Sequence, residues 1–132
     1  MKRGRSDWID ILFYVGLALL VCHELDAAVR HEWRLLPLLN MLSDEIAQIA
    51  FIIAHVPLFA TIFWLVGHHS FIIKRRSRVA VDGFLIVHAV LHVLLSDHEL
   101  YEFEAPLEGL LIYGGAVVGL AHLLVLRRSQ TA

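Results

Sequence analysis

Cysteine, charge and the familiar catalytic signatures are all scarce in this chain. Its 132 residues include one cysteine, Cys22. An intrachain disulfide and a thiolate metal cluster are therefore excluded. The lone thiol reads as a small buried packing residue. Charged residues make up 18% of the chain and the formal net charge is -2. The Lys and Arg side chains fall in short, separate groups, so no basic patch for nucleic acid is formed. There is no G-x-S-x-G turn, no phosphate loop and no H-E-x-x-H helix. His23-Glu24 and His31-Glu32 stand two helical turns apart and do not substitute for the last of these.

What fills the chain instead is apolar: 58% of residues, with a mean hydropathy of +0.69. Clusters of charge divide it into four long apolar runs, at about 7–28, 44–66, 79–96 and 109–126. A run of ~20 such residues, at ~1.5 Å each, crosses the hydrocarbon core of a bilayer. Val79 to Ser96 and Gly109 to Leu126 lack the polar face that a soluble bundle helix needs. The expectation is an all-α polytopic membrane protein. Four transmembrane helices form an up-down bundle in the lipid bilayer, and residues 1–132 make a single domain.

The basic start before the first run could suggest a signal peptide, but Leu20-Val21-Cys22 lacks the small residue that lipoprotein-type cleavage requires. Of the eleven Lys and Arg, all but Arg30 and Arg34 lie at the N-terminus, between runs two and three, or at the C-terminus. The positive-inside rule then places both termini in the cytoplasm. Asp97 to Glu108, acidic and free of Lys and Arg, falls outside. The first connection, Arg30 to Ser43, is apolar enough to lie at the interface or fold back, with Trp33 beside Arg34 suited to the headgroups. Ser43 reads as the N-cap of helix two, which carries Pro57 inside it. Gly115 and Gly119 form a G-x-x-x-G that permits close packing, within the bundle first and between copies of a homo-oligomer second.

Ionisable groups inside a bilayer are costly and mark function by default. His88 and His92 are four apart, so they share a helix face. His23 lies about 8 Å from the outer end of helix one, at ~1.5 Å per residue, which is level with His92. His55 on helix two is level with His88, and Asp26 is one turn from His23. Imidazoles and carboxylates from several helices are a common transition-metal site. His23, Asp26, His55, His88 and His92 are the candidate ligands, and Glu24 is the candidate base acting on metal-bound water. Without thiolate, zinc, iron and copper are all permitted. Such a site suits a metal-dependent oxidoreductase or hydrolase.

Two other readings use the same residues. His55 and His69 are fourteen apart and would share a face of helix two. Pairing with His23, His88 or His92 on one side and with His122 on the other, they would clamp haem b in an electron carrier. Alternatively, the histidines and the acidic rim handle ions in a non-catalytic membrane subunit. An inner group, His68, His69, Asp82 and His122, has no assigned role, and Asp7 and Asp10 read as acids favoured by the first turn of helix one.

The run His23-Glu24-Leu25-Asp26-Ala27, followed by Glu32-Trp33-Arg34 and Leu36-Pro37, resembles a family of small uncharacterised bacterial membrane proteins with a HELDA, E-W-R and L-P signature. The likeness extends through His55-Val56-Pro57, His88 to His92 and Tyr101-Glu102-Phe103. It implies four helices and a role for His23, Glu24, Asp26, His55, His88 and His92, and it brings no reaction. A looser likeness to HxxEE membrane proteins is not met, because Glu24 and Asp26 follow His23 at the wrong spacing.

Overall fold

In the computed structural model, which describes residues 2–128 and side chains from Asp7, long α-helices follow the apolar runs. They are α1 (Lys2–Val29), α2 (Asp44–Val66), α3 (Phe71–Leu95) and α4 (Pro106–Arg128). All four are long and apolar enough to span a membrane. The three basic residues of the extreme N-terminus have side chains outside the described ones.

α2 has the bounds its sequence suggests and runs through Pro57 without a break. Ser43 occupies the N-cap position, but its hydroxyl makes no capping bond. α3 starts well before residue 79. Nothing in Phe71 to Arg78 breaks a helix, and Lys and Arg are good helix formers. The basic stretch is therefore the first two turns of α3, and Gly67–Ser70 alone makes the turn. α4 starts at Pro106, whose fixed φ and missing N–H suit a first helical position. α1 begins early enough that Asp10 is not in its first turn; Asp10 is instead an ion-pair partner of Arg78.

The helices are unequally packed. α4 lies against both α1 and α3, whereas α2 touches α3 modestly and α1 hardly at all. The reason is visible at the glycines. A Cβ on Gly119 would stand 3.3 Å from the Asp82 carbonyl oxygen, and one on Gly115 would stand 3.3 Å from Leu85. The small-residue face of α4 is thus spent inside the bundle against α3, not left for a second copy. Only Ala47, Phe51 and Val66 of α2 are buried. Cys22, expected inside, is exposed on α1, because the neighbouring His23 takes the inward position.

Two apolar clusters hold the bundle. Phe13, Leu17, Leu20, Val66, Val81 and Leu85 pack at the end where α2 meets α3. Ala27, Trp33, Ala47, Phe51, Ala89 and Phe103 pack with Ile112 at the other end. The first connection folds back into this second cluster. His31 adopts the left-handed conformation (φ 55), which costs an L-residue about 1–2 kcal/mol and reverses the chain. His31 Nδ1 donates to Glu102 Oε2 at 2.9 Å and holds the turn. Two short 3-10 helices follow, Glu32–Leu35 and Leu39–Met41. Trp33 is therefore buried in the core, 1% exposed, rather than in a headgroup layer, and its Nε1–H donates to Asp44 at 2.9 Å.

Candidate metal centre

Four side chains converge where α1 and α3 end and the first connection folds over them: His23, Glu32, His88 and His92. α1 supplies His23, α3 supplies His88 and His92 from one face, and the turn at His31 delivers Glu32. Each offers one ligand atom, and all four atoms lie within 4.8 Å of one another. The His88 and His23 Nε2 atoms are 2.8 Å apart, and those of His92 and His88 are 3.1 Å apart. Glu32 carboxylate oxygens stand 3.6 Å from His23 Nε2 and 3.9 Å from His92 Nε2. A tetrahedral ion with ligands at ~2.1 Å has edges of about 3.4 Å, inside that range.

Hydrogen bonding alone accounts poorly for this cluster. His88 Nε2 faces two imidazole nitrogens at once, and a ring nitrogen has either one proton or one lone pair. Glu32 Oε2 is buried and accepts no hydrogen bond, and His23 Nδ1 is buried without a partner. Burial pushes the Glu32 carboxyl up to about 8, and the neighbouring Glu24 charge adds to the shift. Its ion-pair partners among the described residues are His23 and His92. His92 Nδ1 lies 3.1 Å from the Tyr101 hydroxyl, the kind of support that fixes a ligating ring. Burial, with Tyr113 beside it, pushes the Tyr101 phenol up to about 12, so it stays a neutral hydroxyl whose oxygen accepts the Nδ1–H of a ligating His92.

Two of the residues expected at this site are elsewhere. His55 stays outside the cluster because α2 stands off from α1. Its Nδ1–H donates to the Phe51 carbonyl at 2.7 Å, and its Nε2 lies 2.8 Å from Glu24 Oε2. Both ring nitrogens thus face oxygens, so Glu24 and His55 share a proton between them. Asp26 sits one turn past His23 on α1, 3.7 Å from Arg30. Arg30 also reaches the wholly buried Glu108 at 2.5 Å.

Glu32 and Glu108 were not singled out by spacing. Glu32 follows His31 in a connection with no helical periodicity. The one cue is the apolar character of that connection, which suits either the interface or a fold back onto the bundle.

A cavity of about 390 Å³ opens beside the cluster, between the connection, α2 and α3. Glu24, Glu32, His55, His88 and His92 form its polar floor. The Glu24–His55 pair and the four-residue cluster therefore share one chamber.

The inner group resolves differently. His122 Nδ1–H donates to Asp82 Oδ2 at 2.6 Å, with both residues fully buried. His68 and His69 lie beyond the end of α2, in the turn, where their rings stack 4.2 Å apart. His69 therefore shares no helix face with His55, and the paired spacing needed for two haems is lost.

A family model covers residues 9–129, almost the whole chain. The chain belongs to DUF6713, a family of unknown function. No curated protein and no solved structure matches it significantly. Membership in DUF6713 agrees with the resemblance to an uncharacterised family and leaves the chemistry to be read from the site.

Proposed function

We propose that the protein is an integral membrane metalloprotein of the bacterial inner membrane, both termini cytoplasmic. Its metal is held by His23, Glu32, His88 and His92 near the outer face. The observation that carries this reading is the convergence of three imidazoles and one carboxylate to within 4.8 Å. Nitrogen and oxygen donors without thiolate suit zinc, iron or copper. The contact of His23 with His88 at 2.8 Å favours an ion over haem, whose two axial nitrogens must lie on opposite faces of a macrocycle.

When bound, the metal would supply Lewis acidity or redox chemistry. The chain's own part is to hold it and to move protons beside it. Glu24 and His55, sharing a proton at 2.8 Å on the cavity wall, are the acid–base couple of such an enzyme, with Glu24 in the role of base. Asp26 and His55 are removed from the ligand set that spacing alone had suggested. The ion-handling alternative is disfavoured by buried Leu20 and Leu85, which separate this polar level from Asp82 and His122.

Elemental analysis of gently purified protein tests the reading. Wild type should hold about one zinc, iron or copper per chain, and the His88→Ala/His92→Ala variant should hold none. Metal-free wild type, or equal metal in both, would overturn it.

A further inference from the structure

The cluster is closed on the side of the connections. His23 and His92 are 1% and 3% exposed, and Phe103 lies over both, with ring centroids 5.6 and 4.8 Å away. Tyr101 covers the other edge of His92 at 5.7 Å, and Glu32 is itself buried. Of the four, only His88 is partly exposed, and it faces the cavity. The open approach to the site is therefore through that cavity.

The cavity walls are apolar: Leu35, Leu39, Ala50, Ala54 and Leu95 among them. Leu58, Phe84 and Leu91 line it as well, and each is close to half exposed on a membrane-spanning helix. The mouth thus faces lipid, not water. Phe84 also lines a second apolar cavity of about 260 Å³, bounded by Leu20, Ile62, Leu65 and Val81 and reaching Ser77. From His88 to Ser77 the wall of α3 runs about 16 Å at 1.5 Å per residue, the depth of one leaflet of the ~30 Å hydrocarbon core. The two cavities share Phe84 and follow one another along α3 beside the loosely seated α2, which makes them the two ends of an α2–α3 groove.

We infer that the site acts on a single-chain amphiphile taken laterally from the bilayer, its tail lying in the α2–α3 groove and its polar head at the metal. The inference rests on the metal reading above and adds the substrate class. The groove has no Lys or Arg among its lining residues, so recognition of the head falls to the metal and to the Glu24–His55 pair.

The test uses full-length protein loaded with cobalt(II) in phospholipid nanodiscs and two metal-binding probes, dodecanohydroxamic and acetohydroxamic acid. The visible d–d band of the cobalt reports occupancy. Wild type should respond to the dodecyl probe at a concentration at least ten-fold lower than Ser77→Phe and Ala80→Phe do, because those side chains fill the tail end of the groove, away from the metal. Partition into the bilayer is common to all three proteins, so the difference isolates the groove. The acetyl probe should act on all three alike. An equal dodecyl response in wild type and variants overturns the inference.

A second arm needs no substitution. A diazirine-tailed dodecanohydroxamate should label the Ile62–Val66 and Ser77–Val81 segments, with loss of label when unmodified probe is added in excess. Labelling of exposed Leu110 and Val117 on α4 should not respond to the competitor. Equal competition at all of these positions also overturns the inference. Failure of wild type to take up cobalt is a separate outcome, which overturns the metal reading itself and the amphiphile with it.

Discussion

The Asp82–His122 pair offers a thermodynamic check on the packing that aligns α3 with α4. Asp82 is 1% and His122 0% exposed, and they meet at 2.6 Å. Replacing Asp82 by Leu keeps the number and branching of the side-chain heavy atoms and removes the acceptor. His122 Nε2 already has no partner, so the substitution strips the ring of its one hydrogen bond. A buried donor left unsatisfied costs about 1–3 kcal/mol. Interhelical hydrogen bonds in membrane proteins average only ~0.6 kcal/mol, because the unfolded helices find other partners in the bilayer. Full burial at both ends puts this pair at the upper end of that scale, and we expect a loss of about 2 kcal/mol for Asp82→Leu. His122→Phe should cost a similar amount, since Asp82 then keeps only the nearby Arg78 charge. The double variant removes both polar groups and should return to within about 1 kcal/mol of wild type. Unfolding by SDS titration, followed through the three tryptophans, gives the four values of the cycle. A cost below ~0.5 kcal/mol for Asp82→Leu, or simple additivity in the double variant, would refute the dry, paired geometry.

Further outcomes are specific to single positions. Glu32→Gln should weaken metal binding by more than the ~10–100-fold typical of losing a supporting residue, measured by competition with a chelator of known affinity. His55→Ala and Asp26→Asn should keep full metal stoichiometry, while His23→Ala should lose it; the reverse pattern in elemental analysis would restore the ligand set read from spacing. Gly119→Val should destabilise the bundle by about 1–3 kcal/mol, because the added carbon meets the Asp82 backbone, which cannot yield. Gly114→Ala, whose nearest neighbours are ordinary contacts at 3.6 and 3.9 Å, should unfold within about 0.5 kcal/mol of wild type in the same assay.

The parts of this account that could be read from residue order are those governed by helical period and depth. The i,i+4 spacing of His88 and His92 puts both on one face, and counting from the helix end brings His23 to their level. The same counting failed for His55. Depth along a helix says nothing of how far that helix stands from its neighbours, and α2 stands off. Nor does it account for Asp26, whose carboxylate lies one turn from His23 but is engaged by Arg30. Glu32 was beyond reach of any periodic argument, since its position depends on one left-handed residue, His31, and on the tie to Glu102. The start of α3 escapes the apolar pattern for another reason: Phe71 to Arg78 is too basic to continue an apolar run, yet Lys and Arg are good helix formers and Arg78 turns inward to Asp10 and Tyr14.

X-ray absorption at the edge of the co-purified metal reads directly whether three imidazoles and one carboxylate bind one ion. The spectrum should show a first shell of nitrogen and oxygen at ~2.0–2.2 Å, with the outer-shell scattering of about three imidazole rings and no sulfur at ~2.3 Å. A sulfur shell, an absence of imidazole scattering, or protein that carries no metal to measure would contradict that coordination.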